Sequence, residues 1–192
     1  MKIPDSGMPD ESYWNSLFDI PRIVTWLDLA TVRSPIVEIG CGYGTFTIPV
    51  ARATGVACHA FDIDPSMIEW ANRNAQSAGI HTVLFYQRDV LEKGTGLDSD
   101  VAGMVLLFNI LHFKERRTLL AESYRILGPN GRVAIIHWRK DIETPRGPAR
   151  ETRPDSHSIL EAADGLDFCF EGDARILEPY HWGIQLRKRH HA

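Results

Sequence analysis

What this chain lacks narrows it first. It has only three cysteines, Cys41, Cys58 and Cys169, an odd and widely spaced set that excludes a disulfide framework and shows no metal-ligand spacing. No apolar run approaches the length of a membrane span, and Met1-Lys2-Ile3-Pro4-Asp5 lacks the apolar stretch of a signal peptide, so a cytoplasmic chain is expected. Basic residues are not in excess: 21 Lys and Arg stand against 25 Asp and Glu, a formal net charge of -4. That balance argues against a general nucleic-acid binder. The one basic run, Arg187-Lys188-Arg189, reads as a solvated terminus. Repeats, low-complexity stretches and linkers are missing too, so the 192 residues are expected to form one domain, a helical cap over 1–33 and an α/β core over 34–192.

What is present is concentrated in Val37-Glu38-Ile39-Gly40-Cys41-Gly42-Tyr43-Gly44-Thr45. Pro35 to Ile39 is a short apolar run that reads as a buried strand. Glycines at alternate positions then let the backbone turn tightly and lie against a ligand. Thr45 to Arg52 continues as an amphipathic helix, with Pro49 deep inside it. Strand, glycine loop and helix together describe a nucleotide-type cofactor site. Thr45 occupies the sixth position, where a dinucleotide fingerprint needs glycine, which disfavours a nicotinamide-dependent oxidoreductase. A second strand, Val56 to Phe61, ends at Asp62, 22 residues after Gly40. A carboxylate at that distance suits a ribose, because it can accept bonds from both sugar hydroxyls. Asp64 and Pro65 then open a helix with Ile68, Ala71, Ala75 and Ala78 on one side, and Gly79 stops it.

Three further strands follow at Val83–Tyr86, Val101–Phe108 and Arg132–Trp138, with only a short helix expected between the first two. Asp89, after the third strand, suits a helix cap as well as a ligand. Before the loop, Glu11 to Leu29 reads as two short helices joined at Pro21. Residues 1–10 are expected to be mobile or extended. Beyond Trp138 come an irregular segment at 139–155, a helix at Ser156–Ala163, and two strands, Leu166–Leu177 and Tyr180–Lys188, as a hairpin.

The pattern E-x-G-x-G-x-G from Glu38 to Gly44 resembles the first motif of class I S-adenosylmethionine-dependent methyltransferases. Leu106 to Trp138 is similar to the corresponding region of the small-molecule, ubiquinone-biosynthesis-like members. The resemblance implies an α/β, Rossmann-like seven-stranded sheet, mostly parallel with an antiparallel last strand and helices on both faces. It implies S-adenosylmethionine as cofactor and S-adenosylhomocysteine as product. Gly40, Cys41, Gly42, Tyr43 and Gly44 would approach the methionine part, with Glu38 organising the loop. Asp62 would hold the ribose, Ile63 and Met67 the adenine faces, Asp89 the adenine amino group with Val90 beside the ring. Phe108 and Asn109 would floor the site under the sulfonium.

The acceptor is an unidentified small molecule on this reading; the alternative is a non-catalytic protein that binds the same cofactor. Tyr13 and Trp14 are expected in a lid, and Trp138, Arg139 and Arg146 beside the acceptor, where an arginine can clamp a carboxylate or phosphate. His112, His137 and His181 are the candidates for catalysis, all near the carboxyl edge of the sheet. Their convergence on one pocket is weighed against strand alternation, which would send at least one to a helix-covered face. They lack local ligand spacing, so no metal is expected. No cysteine cluster supports an arsenite methyltransferase, and Asn109-Ile110-Leu111-His112 replaces the Asn-Pro-Pro-Tyr of protein methyltransferases. Monomer and homodimer both stay open.

Overall fold

Alternation along each central strand decides how this chain packs. The computed structural model describes residues 7–170 and 172–189. In order they form α1 (Glu11–Ser16), α2 (Ile20–Trp26), β1 (Ile36–Ile39), α3 (Thr47–Thr54), β2 (Cys58–Asp62), α4 (Pro65–Ser77), β3 (Val83–Gln87), α5 (Val90–Lys93), β4 (Ala102–Phe108), α6 (Arg116–Ile126), β5 (Leu127–Trp138), α7 (Ser156–Ala163), β6 (Phe168–Phe170), β7 (Arg175–Leu177) and β8 (His181–Lys188). The sheet order is β3-β2-β1-β4-β5-β8-β6, with β7 also paired to β8. β1 to β5 pair in parallel and β8 runs antiparallel to β5.

The sheet therefore has eight strands in seven places. The single strand expected over Leu166–Leu177 is broken: β6 pairs with the end of β8, at Leu186–Lys188, and β7 with its start, at His181–Gly183. Gly172, in the left-handed region at φ 78°, lies in the interruption.

Odd and even residues of the central strands feed two separate cores. Val37, Val105, Val133, Ile135 and Ile184 face α6 and α7, meeting Leu119, Leu120 and Ile159. Ile36, Met104, Leu106, Ala134, Ile136 and Trp138 face α2 and α3, meeting Ile23, Leu27, Val50 and Ala51. Helix starts follow the cap chemistry. Asp64 accepts from Ser66 N at 2.8 Å with Pro65 in the first turn, and Asp155 forms a capping box with Ser158.

One expectation about the chain ends needs correction. The basic run is no solvated tail, since Lys188 closes β8 and donates to Asp100 Oδ1 at 2.7 Å and to the carbonyls of Tyr124 and Leu127. Of the first ten residues, 1–6 lie outside the described residues, whereas Asp10 caps α1 and Pro9 accepts a bond from Tyr43. Among the described residues, no helix is long and apolar enough to cross a membrane.

Candidate active site

The glycine loop is held from its own strand layer. Gly40 N and Cys41 N both donate to the Phe61 carbonyl, at 2.7 and 3.0 Å, and Gly44 N donates to Cys41 O at 2.9 Å. Gly40 has φ +80°, and a Cβ there would stand 2.7 Å from Ile110 Cγ2. Only glycine fits that turn without displacing the loop after β4. Asp62 ties this loop to the next one: Oδ2 accepts from Gly42 N at 2.8 Å and Oδ1 from Asp64 N at 3.0 Å. Burial raises its pKa, and the bonds from Asp64 and Gly42 oppose the rise. Each oxygen keeps acceptor capacity for a ligand.

Beneath the loop lies Glu38, only 2% exposed. One of its oxygens accepts from the Thr47 hydroxyl at the start of α3, and Oε1 has no partner among the described residues. Burial pushes the carboxyl up from 4.5 to about 8. Between those values the unfolded chain has lost this proton and the folded chain keeps it. The folded state then binds more protons, so the contribution of Glu38 is most favourable below about 4.5 and is lost as pH rises to about 8. Glu38→Gln should accordingly gain stability on the parent across this window, by up to about 1.4 kcal/mol per pH unit. Denaturant titrations at several pH values measure this, and parallel curves would mean that the carboxyl is already ionised in the fold.

Above the loop a cavity of about 740 Å³ runs along the carboxyl ends of the strands. From the expected cofactor set, Gly40, Cys41, Gly42, Asp62 and Ile63 line it, as do Asp89, Val90, Phe108 and Asn109. Asp89 meets its helix-cap reading, since Oδ1 accepts from Glu92 N at 3.2 Å at the start of α5, and it also lines the cavity. Asn109 is held at φ 59°, and neither Oδ1 nor Nδ2 of its buried amide has a partner among the described residues.

Four of the expected cofactor residues do not line the cavity. Glu38 is underneath. Gly44 faces α3 and α4, where a Cβ would meet Ile48 at 3.0 Å and Ala71 at 3.6 Å. Tyr43 donates its hydroxyl to the Pro9 carbonyl at 2.8 Å. Met67 is buried on α4 and fills core.

On the acceptor side Trp14, Trp138 and Arg146 line the cavity, and Tyr13 and Arg139 do not. Tyr13 is 42% exposed, on the outer side of α1. Arg139 is engaged by Asp141, at 2.7 and 3.1 Å, and by Glu178 at 3.6 Å, so its charge is already answered. The cavity adds residues that sequence reasoning missed: Met8, Phe46, Phe61, Arg88, Gly147 and Pro148. Phe46 and Phe61 flank motif positions and were in reach; Met8 and Gly147-Pro148 enter through chain folding with no local signal.

The three histidines do not share one pocket. In the antiparallel register His137 pairs with Trp182 and Trp138 with His181. Paired residues point the same way and neighbours opposite ways, so His137 and His181 occupy opposite faces. His137 stands beside His112, ring centroids 5.8 Å apart. His181 stacks between Phe18, at 4.4 Å, and Trp138, at 4.2 Å. Burial lowers all three pKa values, His181 to about 3, so the imidazoles are neutral at ordinary pH. Only His112 lines the cavity. Among the described residues, no group of three or more His, Cys, Asp or Glu is placed to hold a metal ion.

This arrangement matches known proteins. Residues 36–131, half of the chain, match the family described as methyltransferase domain. Over 115 residues the chain is 28% identical to a demethylmenaquinone methyltransferase of Thermus thermophilus, covering 58% of this chain and 51% of that protein. Over 70 residues it is 36% identical to a 23S rRNA (uracil(1939)-C(5))-methyltransferase of Histophilus somni, covering 36% of this chain and 16% of that one. The chain thus spans about half, or less, of the length of these curated relatives. A SAM-dependent methyltransferase structure from Aquifex aeolicus superposes with a TM-score of 0.79 at 20% identity, over 93% of this chain and 94% of that one. By motif, strand order and family match, the chain belongs to the methyltransferase domain family, the class I S-adenosylmethionine-dependent methyltransferases.

Proposed function

We propose that this chain transfers the methyl group of S-adenosylmethionine to a small-molecule acceptor. The observation that carries this reading is the continuity of one cavity. The glycine loop, Asp62 and Asp89 lie at one end, and Trp14, Trp138 and Arg146 share the same space. The cofactor fits the groups present. Among the described residues, the buried amide of Asn109 has neither a donor nor an acceptor partner, and Glu38 keeps an unpartnered oxygen beneath the glycine backbone. Asp62 and Asp89 retain acceptor capacity for hydroxyl and amino hydrogens.

The bound cofactor supplies an already activated methyl group on a sulfonium, so the chain contributes alignment and exclusion of water. The loop amides and Asp62 fix one partner, and the aromatic wall at Trp138 confines the other. Where the acceptor must lose a proton, His112, the imidazole that lines the cavity, would take it; burial and Arg116 keep it uncharged and so free to accept a proton, while lowering its basicity. A small acceptor is preferred to a nucleic acid because the net charge is -4 and the cavity wall is dominated by apolar side chains. An inert cofactor binder would have no need of the part of the cavity that Trp14 and Arg146 line.

Calorimetry with S-adenosylmethionine and S-adenosylhomocysteine tests the first step, and both are expected to bind. Release of S-adenosylhomocysteine in the presence of a metabolite panel tests the second. Absence of binding by either compound would sink the assignment.

A further inference from the structure

Four strand positions set the polarity of the cavity. Its two carboxylates, Asp62 and Asp89, follow β2 and β3, whereas Trp138 ends β5 and Arg146 lies beyond it. In the order β3-β2-β1-β4-β5, three spacings of about 4.8 Å separate β2 from β5, roughly 14 Å. The carboxylates thus sit at one end, with Arg88 beside them, and among the described lining residues the far end holds Arg146 and no carboxylate.

The fate of the cations in the 139–153 segment singles out one of them. Arg139 is paired with Asp141 and Glu178, Lys140 with Asp155, and Arg150 with Glu143. Arg153 is buried and donates to the carbonyls of Pro148, at 2.9 Å, and Arg139, at 2.6 Å. Arg146 alone of this group lines the cavity, and the bond it makes there is to the neutral carbonyl of Gly7. Gly147, at φ +110°, lies flat on the Trp138 indole, where a Cβ would come within 2.9 Å of the ring. Trp14 closes the same corner, its ring centroid 6.3 Å from that of Trp138.

We infer that the acceptor is a planar, largely apolar acid whose carboxylate engages Arg146 while its ring lies against Trp14. This rests on reading the cavity as a methyl-transfer site. An amine acceptor would meet a cation with no compensating anion among the described residues at that end, which is repulsive in an apolar cavity. A carboxylate there gains a fork of donors already aimed by the segment that Arg153 pins.

The test is calorimetric binding to protein saturated with S-adenosylhomocysteine, using 4-hydroxycinnamate, its methyl ester and tyramine as probes. The acid should bind at least about tenfold more tightly than the ester, and tyramine should bind most weakly, as expected of one charge-assisted contact. Arg146→Gln should erase the preference for acid over ester with cofactor affinity unchanged, and Arg146→Lys should keep part of it. Equal binding of acid and ester, or tighter binding of tyramine, would overturn the proposal. So would binding of none of the probes to a protein that still takes the cofactor. A loss of cofactor affinity in Arg146→Gln would instead assign the guanidinium to the cofactor's own carboxylate and overturn it as well. If S-adenosylhomocysteine itself fails to bind the parent, the methyl-transfer reading falls first.

Discussion

Asp62→Ala should weaken S-adenosylhomocysteine binding by about 1.5–3 kcal/mol, roughly 10- to 150-fold, the range of hydrogen bonds to a charged group. The side chain acts at two levels. Its Oδ2 and Oδ1 hold the Gly42 and Asp64 amides, joining the glycine loop to the turn after β2. Its remaining acceptor sites face the cavity that the loop lines. Asn in its place leaves one oxygen for two backbone donors and turns an amide NH2 towards the other, so Asp62→Asn should be nearly as damaging. A cofactor analogue without the ribose hydroxyls separates the two roles. If Asp62 holds the sugar, the parent should lose affinity on removal of the hydroxyls and Asp62→Ala should lose little more, the coupling that a double-mutant cycle detects. Equal affinities for parent and variant would remove the ribose assignment.

Trp138→Ala should cost about 3–5 kcal/mol of stability, the range for deleting a buried large aromatic. Only 2% of Trp138 is exposed. It stands where three parts of the chain meet: Trp14 of α1, Tyr180 and His181 at the start of β8, and Gly147 of the irregular segment. The loss therefore combines a cavity with the release of a wall of the site. Trp138→Phe keeps an aromatic of smaller volume and should cost less than half as much. Chemical denaturation measures both, and an alanine variant within 1 kcal/mol of the parent would mean that the neighbours collapse into the space.

Most of the parallel half of the fold was legible, because its signals are local. β1 was marked by its short apolar run and α4 by its Asp64-Pro65 start and apolar spacing. Short-range misreadings have short-range causes. Pro49 looked deep in a helix begun at Thr45, but residues 43–46 form turn and α3 begins at Thr47, which places Pro49 in its first turn, where a proline is tolerated. The antiparallel edge was less legible, since the break between β6 and β7 depends on which part of β8 each meets. The same pairing decided the histidines: alternation requires neighbours to diverge, but which face takes His181 follows only from its register against Trp138. The site divides similarly. Residues within the motif, such as Gly40 and Asp62, could be placed by spacing. Arg139 and Arg146 are equivalent as letters, and only the carboxylates brought near Arg139 by the loop and by Glu178 tell them apart.

The division of one outer strand into β6 and β7 also bears on how the molecule behaves in a crowded solution. Exposed strand edges are templates for pairing with other chains, and short or interrupted edges blunt that tendency. At this flank each piece is three residues long, too short to carry a run of intermolecular hydrogen bonds. The opposite flank is β3, five residues long and unbroken, with Leu84 55% exposed. Self-association through strand pairing, where it occurs, should begin at β3, and a lysine at position 84 is the substitution that would suppress it.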